Sequence, residues 1–152
     1  MDTAIDRISR KAARIKNGND EIKPGQTVHL NAAATFKDCI RQGDLYLTVI
    51  DKIPDGHVHV ENPQTIDCQL VPGSTQGAKH CLDSLHGIDL YRPAEWGLGY
   101  EGLIGPVLAI HETRTVQHPT HGDVVIAAGH LIQCDFQREF DQEQMRERRN
   151  AD

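Results

Sequence analysis

From residue 25 onward the chain is cut into short β-rich runs by glycine, proline, asparagine and aspartate, and this punctuation constrains its fold more than any other feature. The runs are Gln26–Leu30, Asp44–Asp51, His57–Val60, Thr65–Val71, Ile88–Arg92, Val107–Glu112, Arg114–His118, Val124–Ala127 and His130–Arg138. Breaks such as Pro54-Asp55-Gly56, Pro72-Gly73 and His121-Gly122-Asp123 leave no room for a long helix between them. Strands of this length at regular spacing predict a mainly β domain, a small β-sandwich or a closed barrel, with cupin-like architecture among the options. Within Asp44–Asp51, apolar residues fall on both alternating faces (Leu45, Leu47, Val49 against Tyr46, Ile50), which predicts a central strand. Ile132, Cys134 and Phe136 alternate with Gln133, Asp135 and Gln137, which predicts a strand with one wet face.

Three zones follow: an N-terminal arm over 1–20, a β domain over 21–140 and a polar tail over 141–152. In the arm, Ile5, Ile8, Ala12 and Ile15 recur at helical spacing, Thr3 with Asp6 could cap the first turn, and Gly18 supplies a stop. Five basic and three acidic residues make residues 1–20 basic, on a chain whose net charge is −6. Such an arm could dock on its own domain, on another subunit or on an anionic surface, with Ile5, Ile8 and Ile15 as partner-binding positions. Trp96, the sole tryptophan, sits in the glycine-rich loop Pro93–Gly105; it is expected either to cap the β domain or to bind a partner. In the tail Asp141 could cap a short helix, but Met145 is the one apolar residue between Asp141 and Arg149.

Composition narrows the function classes. A net charge of −6 argues against duplex nucleic acid as a default partner, and seven aromatics supply few stacking platforms for single strands. No apolar run approaches the roughly 20 residues of a membrane helix, the longest being Val124–Ala128, and no secretory core follows Met1. A cytoplasmic or virion-associated location is therefore expected, with Cys39, Cys68, Cys81 and Cys134 reduced.

Nine histidines carry most of the chemical potential. His57 and His59 project from one face of a predicted strand, His118 and His121 bracket Pro119-Thr120 at a strand end, and His80, Cys81 and His86 lie between strands. Imidazoles with a cysteine or carboxylate suit zinc or iron, so His80, His118, His121 and Cys81 form the candidate metal set, with Glu112 as an alternative fourth ligand and Asp83 and Asp123 as further carboxylates. Other readings fail on spacing. The cupin metal pattern is missing, because Asp51 stands where its glycine belongs and Glu61 follows His59 too closely. His111-Glu112-Thr113 and His118-Pro119-Thr120 are too close to grip a phosphate from two lobes. There is no G-x-S-x-G elbow, no Walker loop and no G-x-G-x-x-G.

Arg41-Gln42-Gly43-Asp44, Thr75-Gln76-Gly77-Ala78-Lys79-His80, His118-Pro119-Thr120-His121-Gly122 and Gln137-Arg138-Glu139-Phe140 form a series. On these motifs the chain, over about residues 41–152, resembles a group of small, largely uncharacterised bacterial and phage proteins. The resemblance implies that His80, His118 and His121 share one site. Ala78 stands where the group carries the first histidine of a His-x-His pair, so Cys81 could take over as ligand.

Two functions are expected. The first is a non-enzymatic β-domain acting by association with other protein subunits, as a homo-oligomer or in a larger assembly, of phage or phage-derived structural or accessory type. The alternative is a small zinc- or iron-dependent enzyme or sensor built on the histidines.

Overall fold

The computed structural model describes residue 22, residues 25–96 and residues 102–136. The expected arm helix with Ile5, Ile8 and Ile15, and the tail with its Asp141 cap, lie outside the described residues. Ten strands form among the described residues: β1 (Thr27–Leu30), β2 (Cys39–Gln42), β3 (Leu45–Ile50), β4 (His57–His59), β5 (Cys81–Leu82), β6 (Ile88–Pro93), β7 (Ile104–Ile110), β8 (Arg114–Gln117), β9 (Asp123–Ile126) and β10 (Leu131–Phe136).

They build two sheets, one of four strands in the order β1-β9-β8-β5 and one of six in the order β2-β3-β10-β7-β6-β4. All pairings are antiparallel except β1 with β9. The arrangement is mainly β and sandwich-like. Among the described residues neither sheet closes on itself, so the closed barrel is not the form adopted. Leu45, Leu47 and Val49 of the larger sheet and Val116, Val124 and Ile126 of the smaller belong to one buried apolar cluster. Burial of that shared cluster is the main force joining the sheets.

β3 lies between β2 and β10, the interior position its two apolar faces predict. β10 departs from its pattern: Gln133 is buried, and its amide donates to the carbonyls of Gly105 (3.0 Å) and Cys134 (2.9 Å) beside an irregularity in the β10–β7 register. The run Thr65–Val71 is not a strand. Thr65–Cys68 is a 3-10 turn, and only Gln69 makes an isolated bridge, to Cys81. The Asp67 carboxylate accepts the Gln64 backbone N–H at 2.7 Å, a local bond that competes with strand pairing. The two strands that periodicity misses, β2 and β5, are only four and two residues long. No helix among the described residues is long and apolar enough to cross a membrane.

Candidate functional site

The tight β2–β3 turn is Gly43-Asp44, since Gln42 is in register with Leu45. Gly43 has φ +58°, and Asp44 has no positive φ, which is the pattern of a type II′ hairpin turn with glycine first. The glycine is also required by space: a Cβ there would lie 2.6 Å from Cδ2 of His121. The turn thus brings Gln42 and Asp44, one on each side of Gly43, to one end of the sandwich.

Gln42 pairs with Leu45 on the core side of its sheet and is fully buried. Its amide nitrogen crosses to the smaller sheet and donates to the carbonyls of Val116 (3.0 Å) and Gly122 (2.7 Å). Those two bonds turn its oxygen toward His80, whose Nδ1 lies 2.8 Å away and donates to it. His80 is also fully buried, and its Nε2 donates to Oδ1 of Asp44 at 2.9 Å. Both His80 nitrogens therefore face acceptors, an arrangement that favours a proton on each. An imidazolium against a carboxylate is the arrangement that makes such burial tolerable.

His118 is buried too. Its Nε2 donates to the Gly77 carbonyl at 3.0 Å, and its Nδ1 accepts the Thr120 backbone N–H at 3.1 Å. These bonds fix the neutral tautomer with the proton on Nε2. The ring centroids of His80 and His118 are 4.3 Å apart, those of His118 and His121 4.4 Å, and those of His80 and His121 6.3 Å with parallel planes. The three histidines singled out in the sequence thus converge.

Their chemistry is turned inward. Among the described residues no three His, Cys, Asp or Glu side chains are set around a point where a metal ion could be held. Cys81 follows His80 along an extended segment and so projects to the opposite side. Its thiol lies near Cys68 instead, whose pKa is raised by burial, then by the Cys81 and Asp83 charges. Burial also raises the Cys81 thiol, against a lowering by Lys79. Glu112 meets His86 at 2.6 Å and Arg114 at 3.8 Å, and Asp83 accepts the Thr115 N–H at 3.1 Å.

Two further features escape periodicity. On the outer face of the β4–β6–β7 edge, Asp89 lies between His111 (2.8 Å) and His59 (3.6 Å), and the His111 hydrogen bond holds its carboxyl below the ordinary range. Two residues after Asp89 on the same face, Tyr91 is the cross-strand partner of His59, so the signal was the alternation of β6 once its neighbour is known. The second feature is a groove of about 300 Å³ beside Trp96. Trp96 is half-buried, packs on Phe136 with centroids 6.3 Å apart, and so caps the core while lining the groove.

Residues 41–132 match the model of a family described as a domain of unknown function (DUF8820). The chain belongs to that family. The matched segment opens on Arg41, the first residue of the β2–β3 turn motif, and holds Gln42, Asp44, His80, His118 and His121 together. No curated protein and no solved structure matches the chain.

Proposed function

We propose that this domain is non-enzymatic and works by association with other protein subunits, as a homo-oligomer or within a larger assembly. A structural or accessory component of a phage or phage-derived particle, in the cytoplasm or on the virion, is the setting that fits the sequence motifs. One observation carries the reading: every ring nitrogen of His80 and His118 is spent on a partner inside the fold. The polar convergence then serves to weld the two sheets, and the surfaces remain for binding. Light scattering on the full chain across a concentration series tests this. An oligomer, or a stable complex in which residues 1–20 resist proteolysis, is expected. A monodisperse monomer whose first 20 residues can be clipped without effect would overturn it.

A second reading, a zinc or iron site, draws on the meeting of His80, His118 and His121. It requires His80 to release Gln42 or Asp44, His118 to release Gly77 or Thr120, and Cys81 or Glu112 to change position. Elemental analysis of untagged protein beside a His118→Ala/His121→Ala variant decides it: near-stoichiometric metal lost in the variant favours the site, and metal in neither removes it.

A further inference from the structure

Cys68 and Cys81 stand side by side at the two ends of one loop. Gln69 and Cys81 form an isolated antiparallel bridge, and beside it the Leu70 N–H donates to the His80 carbonyl at 2.8 Å. Partners across such a bridge have Cα atoms about 4.5–5.5 Å apart, which puts the Cα of Cys68, one residue along, roughly 6 Å from that of Cys81. Disulfides span about 4.4–6.8 Å between Cα atoms. The two side chains also share a face. Leu70, His80 and Leu82 are buried, whereas Gln69, Lys79 and Cys81 alternate with them, and Lys79 Nζ donates to the Gln69 oxygen at 3.3 Å on that outer side. In a regular strand Cys68 would point inward with Leu70. It closes the 3-10 turn Thr65–Cys68 instead, and its partly exposed thiol lies close to Cys81 and Asp83, whose charges add to burial in raising its pKa.

We propose that Cys68 and Cys81 are a site of reversible oxidation, joined by a disulfide that staples the loop between them. Both thiols are free in the structure and partly exposed. The other two cysteines do not compete, since Cys39 and Cys134 are fully buried on β2 and β10 of the larger sheet. The oxidant is a small disulfide such as glutathione disulfide. One protein thiol, as its thiolate, attacks a sulfur of that disulfide; the S–S bond breaks, and one glutathione leaves and takes up a proton. The second protein thiol loses its proton and attacks the protein sulfur of the mixed disulfide, releasing the second glutathione as a thiol. Two electrons pass from the cysteines to the oxidant, and their two protons end on the released glutathiones. The loop so closed contains Gly77, whose carbonyl accepts from His118, and His80, which Gln42 and Asp44 hold. Oxidation therefore fastens the segment that delivers these groups to the buried polar convergence.

The full chain, fully reduced, is equilibrated with mixtures of reduced and oxidised glutathione at fixed pH, quenched by alkylation, digested and read by mass spectrometry. A linked Cys68–Cys81 peptide, formed without denaturant and lost again as reduced glutathione is raised, is expected. Closing a loop of about 15 residues should raise the melting temperature of the oxidised chain by roughly 5 °C over the reduced one. Cys68→Ser and Cys81→Ser should each give no linked peptide, carry glutathione on the remaining thiol, and show no such rise. In the wild type, glutathione on both cysteines without a link, a link formed only in denaturant, or a link to Cys39 or Cys134 overturns the site. A linked chain that melts no higher than the reduced one overturns the staple.

Discussion

The side-chain oxygen of Gln42 and Nδ1 of His80 meet at 2.8 Å although 38 residues separate them in the chain. What orients the pair is the other end of the amide, which two backbone carbonyls of the facing sheet and its β8–β9 connection hold in place. A glutamine on one sheet thereby decides which nitrogen of a buried histidine must carry a proton.

Gln42→Leu keeps the volume and removes the amide. The carbonyls of Val116 and Gly122 and the His80 Nδ1–H would then be buried without their partner. A loss of at least about 3 kcal/mol is expected from urea unfolding, given about 1–3 kcal/mol for each of the three buried groups left unmet. Gln117→Leu, at an exposed position on β8, should stay within about 0.5 kcal/mol. Nitrogen NMR of the wild type should show protons on both ring nitrogens of His80.

Gly43→Ala meets two obstacles, a positive φ and the His121 ring. The backbone part costs of order 1–3 kcal/mol, and the contact adds to it. Removing the ring in Gly43→Ala/His121→Ala should recover the steric part alone. The two substitutions should therefore be non-additive in a thermal-unfolding cycle. Additive costs would mean that His121 does not limit the turn.

Asp89 titrates below its usual 3.8 because His111 donates to it, with the His111 and His59 charges adding to the shift. A depressed carboxyl stabilises the fold above the unfolded-state pKa, and that contribution is lost as pH falls through the folded value. The site is exposed, so the effect on stability is small and its carboxyl carbon shift is the better reporter. In His111→Ala the Asp89 midpoint should move up toward 3.8. An unmoved midpoint would show that the hydrogen bond is not its cause.

Thiol labelling should divide the cysteines in two. Cys39 and Cys134 are fully buried, and burial drives the Cys134 pKa far above the ordinary thiol range, with Asp135 adding to it. Both should resist alkylation until the protein unfolds. Cys68 and Cys81 are partly exposed but raised by burial, so they should react slowly at neutral pH and faster as pH increases. Peptide mass spectrometry after a pH series reads all four.

Much of the strand pattern was legible because alternation is local: β3 and β10 show their core faces in six consecutive residues each. The run Thr65–Val71 was misread for a reason that is also local but polar, the Asp67 carboxylate capping a 3-10 turn. His80, His118 and His121 were marked out by residue type and motif, and they meet. Gln42 and Asp44 were visible in the same motif series, yet nothing in their spacing tied them to His80.

What the sequence determined by itself is the class of fold and the residues able to do chemistry, because backbone punctuation, periodicity and side-chain type are properties of neighbours. What only the tertiary structure decided is how those residues are used. Strand order is set by which apolar faces pack together, and here it brings β2 of one sheet opposite β8 and β9 of the other. Once Gln42, Asp44, Gly77 and Thr120 are in place, His80 and His118 have their partners. A hydrogen bond between residues 38 apart depends on the fold that joins them, and leaves no period in the chain to read.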